Sequence, residues 1–279
     1  MNFTFTARIF LLGVLSAPAF GFIPPVPNIL KEVFDARRSF PGAEIVTRYQ
    51  VKTPTGTTEV EERLIGDRNK GYITWRVGGA NPVPAYWEKG QYVFPDGKRI
   101  TSKSSVFNRY FLSNSSDEFR DVLLAERFLN KDQLLQYKTG FEATGDPATW
   151  DLKENYLIHP DIFLKRLPGG VGIAVVGTSD GQHERSIYFD KALQGVRRIE
   201  WKDGAETVQW TFDQFSGDPA CPHRMTLEKG REELAFGEVV SCRWLKAKPY
   251  TDLIKAFRAK YTAVALPGEE ALVTLLSYR

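Results

Sequence analysis

The 279 residues carry 37 Lys and Arg against 34 Asp and Glu, a formal net charge of +3 with 25% charged residues. A near-balance with no long run of like charges excludes a nucleic-acid-binding arm and an acidic tail. A hydrophobic share of 42% and an aromatic share of 13% suit a globular chain long enough to bury a full core.

In chain order, the first segment is of a different kind from the rest. Arg8 precedes the apolar run Ile9 to Leu15, and the small residues Ser16-Ala17-Pro18-Ala19 follow. Ala17 and Ala19 fit the two small positions of a signal-peptidase site, with Ala19 and Gly21 as the near alternative, so residues 1–21 read as a signal peptide. Past residue 22 no stretch approaches the roughly eighteen apolar residues of a membrane-spanning helix. No cysteine lies near the cleavage site to carry a lipid anchor. The expectation is an exported chain without an anchor.

Asn28 is positioned to cap a helix from Ile29 to about Arg38, with Ile29, Leu30, Val33 and Phe34 on one face. Pro41-Gly42 ends it. Ile45, Thr47, Tyr49 and Val51 then alternate with polar residues, and a turn at Pro54-Thr55-Gly56 leads into a strand through Val60 and Leu64. Ile73, Trp75 and Val77 continue the period of two, and short strands around Lys89-Gly90 and Pro95-Asp96-Gly97 carry Tyr86, Trp87, Tyr92, Phe94 and Ile100. This is a first antiparallel meander. Helical sequence follows it: Ser115 and Glu118 form a capping box ahead of Phe119, Val122 and Leu123, and Asn130 is set to cap a short helix with Leu134, Leu135 and Tyr137.

After extended segments at 162–167 and 171–176, Glu184 to Trp244 reads as a second meander of five strands. Ile187 and Phe189, Ile199 and Trp201, Val208, Trp210 and Phe212, Met225 and Leu227, and Leu234 and Phe236 are its apolar-face residues. A period of two with one polar face is the pattern of an antiparallel sheet buried on one side. Asp203-Gly204 and Lys229-Gly230 supply the turns. Cys221 and Cys242, the only cysteines, flank the last hairpin, and the pairing that sets Lys229 opposite Leu234 across a four-residue loop also sets the cysteines opposite one another. In an exported chain such a pair reads as a disulfide. Leu253, Ile254, Phe257 and Tyr261 mark one final helix, and Leu272, Leu275 and Leu276 mark another that begins near Pro267.

Catalytic patterns are weak. Gly177-Thr178-Ser179-Asp180-Gly181 matches the string of a nucleophile elbow, but a strand follows it where an elbow needs a helix, and the only later histidine is His223. His159, His183 and His223 lack metal-ligand spacing. Glu61-Glu62 and Glu232-Glu233 are neighbours on strands, so each pair points to opposite faces, and solvated charge is the expected role. The sequence therefore points to no enzyme, no metal and no cofactor.

Two passages resemble a known family. Arg68-Asn69-Lys70-Gly71-Tyr72-Ile73-Thr74-Trp75, followed by Tyr86 to Phe94, is similar to the basic-aromatic strand and following hairpin of the periplasmic outer-membrane lipoprotein carriers. This LolA/LolB-like superfamily also includes lipid-sensing regulators of envelope stress. Ile187 to Lys191, then Arg198 to Gly204 and on to Phe212, resembles its late hairpin. The resemblance implies a mainly β (α+β) fold: a strongly curved, open antiparallel sheet, or half-barrel, with helices covering its concave face. It implies a periplasmic carrier-like protein that holds acyl chains of a lipid or an acylated lipoprotein, served by a membrane-bound donor or acceptor protein and acting as a monomer. Residues 22–248 would form that domain and residues 249–279 a C-terminal helical extension. The family's cavity-side arginine falls on Arg68 by motif position, and Trp75, Tyr92, Trp201, Trp210, Phe212 and Phe236 are the candidates to line the cavity. Those aromatics could equally be plain core, which would suit a non-catalytic protein-interaction or envelope-sensor module with a filled interior. A hydrolase is a third reading.

Overall fold

The computed structural model describes residues 23–67, 70–134, 161–177, 185–260 and 270–279. The expected signal peptide, Arg68, most of the Gly177–Gly181 string, His159, His183 and the Leu135–Tyr137 part of the short helix lie outside them. The first meander comprises β1 (Gly42–Thr53), β2 (Gly56–Gly66), β3 (Lys70–Val77), β4 (Val83–Glu88), β5 (Gln91–Val93) and β6 (Arg99–Thr101). The second comprises β7 (Ile162–Leu167), β8 (Gly170–Val176), β9 (Arg185–Asp190), β10 (Val196–Asp203), β11 (Glu206–Ser216), β12 (Cys221–Lys229) and β13 (Glu232–Leu245). The helices are α1 (Val26–Asp35), α2 (Val106–Leu112), α3 (Ser116–Ala125), α4 (Ala247–Lys260) and α5 (Glu270–Ser277).

All thirteen strands form one antiparallel sheet in the order β6-β5-β4-β3-β2-β1-β13-β12-β11-β10-β9-β8-β7. The two meanders join where the first strand pairs with the last, Ile45 opposite Cys242 and Tyr49 opposite Gly237. The sheet is strongly curved. In a flat sheet β6 and β10, nine strand spacings apart, would be about 43 Å from one another. Yet Lys103, just past β6, places its Nζ 2.7 Å from the Asp203 carboxylate at the end of β10. Curling of this degree makes one face concave, and the helices α1, α2, α3 and α5 contribute their buried residues to the core on that face. α4 instead packs on the convex side, where Tyr250 donates to Asp67 at 2.6 Å and Phe257 stacks on Tyr72 at 5.4 Å.

Three local expectations are corrected. α1 begins at Val26 rather than Ile29, because Pro27 is tolerated in a first turn and the N–H groups of Asn28 and Ile29 both bond to Pro25 O. Ser115 occupies the N-cap of α3 but makes no side-chain capping bond. The last hairpin closes on a two-residue turn, Lys229 opposite Glu232, with a bulge at Leu227/Glu228. That shift moves Phe236 off the inner face. Ala235, Gly237 and Val239 are buried in its place, and Phe236 stands opposite Gln50 and Thr226 on the outer face. Tyr49 enforces the arrangement: a Cβ on Gly237 would lie 2.6 Å from the Tyr49 ring.

The bulges still bring the cysteines together. Cys221 and Cys242 are disulfide-bonded, with Cα atoms 6.5 Å apart and a sequence separation of 21. Reduction is expected to lower stability by about 3 kcal/mol through the freed loop entropy. Thiol titration of the denatured, unreduced protein should find no free thiol, and two would contradict the pairing.

Where β1 meets both neighbours, Glu44 holds three strands together. It accepts from Arg63 Nε at 2.8 Å on β2 and from Arg243 Nε at 2.8 Å on β13. Burial pushes the Glu44 carboxyl up, but the hydrogen bonds from Arg243 and Arg63 outweigh burial and hold it below the usual 4.5. The stabilisation is therefore in place above that ordinary value and is lost as the pH falls through the lowered folded value. Melts of wild type and Glu44→Gln should differ by about 1 kcal/mol at neutral pH, a modest figure because both arginines reach solvent. They should converge in acid; a gap that persists there contradicts the assignment.

Candidate functional site

The inner face is a run of aromatic rings delivered by alternation on the strands. Trp75 of β3 packs against Tyr92 of β5 at 5.9 Å and Phe94 at 5.9 Å. On the other half of the sheet Trp210 and Phe212 of β11 point inward, with Trp201 of β10 one strand further on, opposite Val208. Tyr49 of β1 closes the gap between the halves, its ring 6.4 Å from Trp210. Tyr92 is buried, accepts from Asn108 Nδ2 at 2.6 Å and has its hydroxyl pushed up to about 12, chiefly by burial.

Helices cover this face. From α2, Phe107 stacks on Trp210 at 4.5 Å and on Phe212 at 5.7 Å, while Tyr110 meets Phe212 at 5.5 Å. From the chain's last described segment, α5 buries Ala271, Leu272, Leu275 and Leu276. Two polar contacts then fasten the residues after α5 to the sheet. Trp210 Nε1 donates to Tyr278 O at 2.5 Å, and the Arg279 guanidinium pairs with the Glu62 carboxylate, both side chains almost fully buried. Trp75 Nε1 donates to the same carboxylate at 2.8 Å. Arg279 also lies over the rings of Phe107 at 4.4 Å and Tyr49 at 5.6 Å. Burial alone would lower the Arg279 pKa; the facing Glu62 carboxylate and the tyrosines outweigh it and raise the value.

Not every polar atom there is satisfied. Arg279 Nε and Trp201 Nε1 are buried and have no hydrogen-bond partner among the described residues.

Of the residues expected to line the site, Trp75, Tyr92, Trp201, Trp210 and Phe212 are brought together on the concave face, Phe236 is not, and Arg68 lies outside the described residues. Glu62 is a correction. Its inner-face register between Val60 and Leu64 buries it, so its charge is paired rather than solvated. Sequence reading also missed α2, although Val106, Phe107, Tyr110 and Phe111 have helical spacing. It missed Arg279 as well, because no local pattern marks a partner for Glu62 that is 217 residues away.

No catalytic constellation forms among the described residues. Ser216 Oγ touches His223 Nε2 at an exposed edge, with no carboxylate hydrogen-bonded to that ring. Among the described residues no group of three or more His, Cys, Asp or Glu could hold a metal ion, and no helix is long and apolar enough to cross a membrane.

These features define a class: an open, curved antiparallel sheet whose aromatic concave face is covered by the chain's own helices. No family model and no curated protein matches the sequence. Among solved structures the chain is similar to a LolA superfamily protein from Nitrosomonas europaea, with 10% identity and a TM-score of 0.46 over 86% of this chain and 100% of that one. It is also similar to a domain described as an outer membrane lipoprotein-sorting protein from Vibrio parahaemolyticus (10% identity, TM-score 0.42, 82% and 97% covered). A third is a DUF1329 family protein from Desulfovibrio piger (11% identity, TM-score 0.40, 80% and 94% covered). At such identities and scores the likeness assigns no ligand and no partner.

Proposed function

We propose that the chain is an exported, non-catalytic binding protein that takes an acyl chain, of a lipid or an acylated lipoprotein, onto its concave face in the place α5 holds. The observation that supports this reading is the mixed character of that face. Aromatic rings are interrupted by a buried Glu62–Arg279 pair, beside which Arg279 Nε and Trp201 Nε1 have no hydrogen-bond partner among the described residues. An amphiphile with an apolar body and a polar end suits such a surface better than an aliphatic core does. α5 offers a comparable combination, leucines followed by a charged end. An 8-residue helix is about 12 Å long, so its departure would expose a substantial apolar strip.

Mass spectrometry of the protein purified under native conditions tests the proposal. A co-purifying acyl-bearing lipid is the expected result; its absence, together with failure to bind added fatty acid, overturns it. Export has its own check: N-terminal sequencing of the mature chain should begin at Phe20 or Phe22, and an intact Met1 on the functional protein contradicts it.

A second reading rests on the stacking of Phe107 on Trp210 and Phe212. If α2 and α5 are both permanent, the interior is full and the protein is a binding module that acts through its outer surface. It predicts no acyl binding at all.

A further inference from the structure

Where the two ends of the curved sheet approach one another, a pocket of about 530 Å³ opens to solvent. Its charged lining is Lys89, Lys103, Arg109, Arg127 and Arg185 against Glu126. Glu126 is engaged in fixing the linker into α2: it accepts from Ser104 Oγ at 2.7 Å and from Ser105 N at 2.8 Å, with Arg185 at 3.4 Å. Lys103 is held by Asp203. Lys89, Arg109 and Arg127 make no ion pair with a described residue. Arg109 instead lies over the Trp87 ring at 5.0 Å, and burial lowers its pKa against the fields of Glu118, Glu126 and Asp67.

The backbone at two of these residues carries the argument. Lys89 and Gly90 form the two-residue turn between β4 and β5, with φ of +52° and +77°. Such a turn favours Asn, Asp or Gly at its first position. Arg127 has φ of +60° in the turn that ends α3, where Phe128 N bonds to Leu123 O at 2.8 Å and Arg127 N to Leu124 O at 3.2 Å. That cap favours Gly or Asn at the left-handed position. Four described non-glycine residues have positive φ, and the two that are basic both line this one pocket. Two unrelated turns thus each hold a cation in a conformation that glycine would adopt without strain, a pattern of stored strain found at binding sites.

We propose that this pocket is an anion site that takes a phosphate group, with Lys89, Arg109 and Arg127 as its principal donors. Charge-assisted bonds to phosphate suit this donor set, and partial burial of Arg109 strengthens any such bond. The phosphate could belong to a lipid headgroup or to a soluble phosphate ester. The site does not depend on the acyl reading, since Lys89, Arg109 and Arg127 are not among the groups on which that reading rests.

The test is calorimetric titration of the full chain with pyrophosphate, alongside sedimentation with phosphatidylcholine vesicles made with and without phosphatidylglycerol. Saturable pyrophosphate binding is expected. It should weaken about tenfold or more in the Lys89→Gly/Arg127→Gly double variant, the loss that goes with a charge-assisted hydrogen bond. Because glycine relaxes both turns, that variant should melt no lower than wild type and should bind an acyl probe unchanged. Retention on the phosphatidylglycerol vesicles alone identifies a headgroup as the source, whereas pyrophosphate binding without retention identifies a soluble ester. No saturable pyrophosphate binding, or equal binding by the variant, overturns the proposal.

Discussion

Glu62→Gln is expected to lower the unfolding free energy by about 3 kcal/mol or more, the scale for removing one member of a buried ion pair. Among the described residues Glu62 is the only carboxylate paired with the Arg279 guanidinium, and both side chains are at most 2% exposed. Without it the guanidinium stays desolvated between the rings of Phe107 and Tyr49, with its charge uncompensated. Release of α5 and Arg279 into solvent sets the ceiling on the loss, because exposure relieves the penalty. The paired substitution Glu62→Leu with Arg279→Met should recover most of the stability, since a well-packed apolar pair is often neutral relative to a buried ionic one. Chemical denaturation of the variants measures this. A Glu62→Gln protein as stable as wild type would mean that Arg279 does not rest on the concave face.

Trp210→Ala should have a comparable effect, about 3–5 kcal/mol, the range for deleting a large buried aromatic side chain. Trp210 is wholly buried, and its ring is the common neighbour of Phe107 on α2 and Tyr49 on β1. Its Nε1 also holds Tyr278 O, so Trp210→Phe, which keeps most of the volume, should still cost about 1–2 kcal/mol. Phe236→Ala on the outer face is the contrast: about 1 kcal/mol or less, because that side chain is only partly buried and lies outside the core. If the two aromatic-to-alanine changes proved equal, the register of the last hairpin would be in error.

Much of the fold was legible because alternation on strands is a strong local signal. Tyr49 and Val51 of β1, Ile73, Trp75 and Val77 of β3, Ile199 and Trp201 of β10, and Val208, Trp210 and Phe212 of β11 are buried as alternation requires, and the cysteine pair marks the final hairpin. What stayed hidden is non-local or set by single-residue shifts. The bulge at Leu227/Glu228 moves Phe236 to the other face without changing any local pattern. Glu62 and Arg279 each look like ordinary surface charge until curvature of the sheet and the docking of α5 bring them together. The seam pocket is likewise assembled from a hairpin turn, a helix end and β9, which are far apart in sequence. Lys89 and Arg127 gave no warning, because a positive φ at a non-glycine residue follows no sequence rule of comparable strength.

The central claim is that the concave face accepts an acyl chain in the place of α5. Equilibrium titration of the delipidated full-length protein with a fluorescent fatty-acyl probe tests it most directly, with the Glu62→Gln variant titrated in parallel. If α5 competes for the face, loosening it raises the population able to bind, and the apparent affinity rises by the same factor. The account predicts saturable binding by wild type at micromolar probe and tighter binding by Glu62→Gln, provided the variant retains a cooperative melt. Absence of saturable binding to both proteins would contradict it.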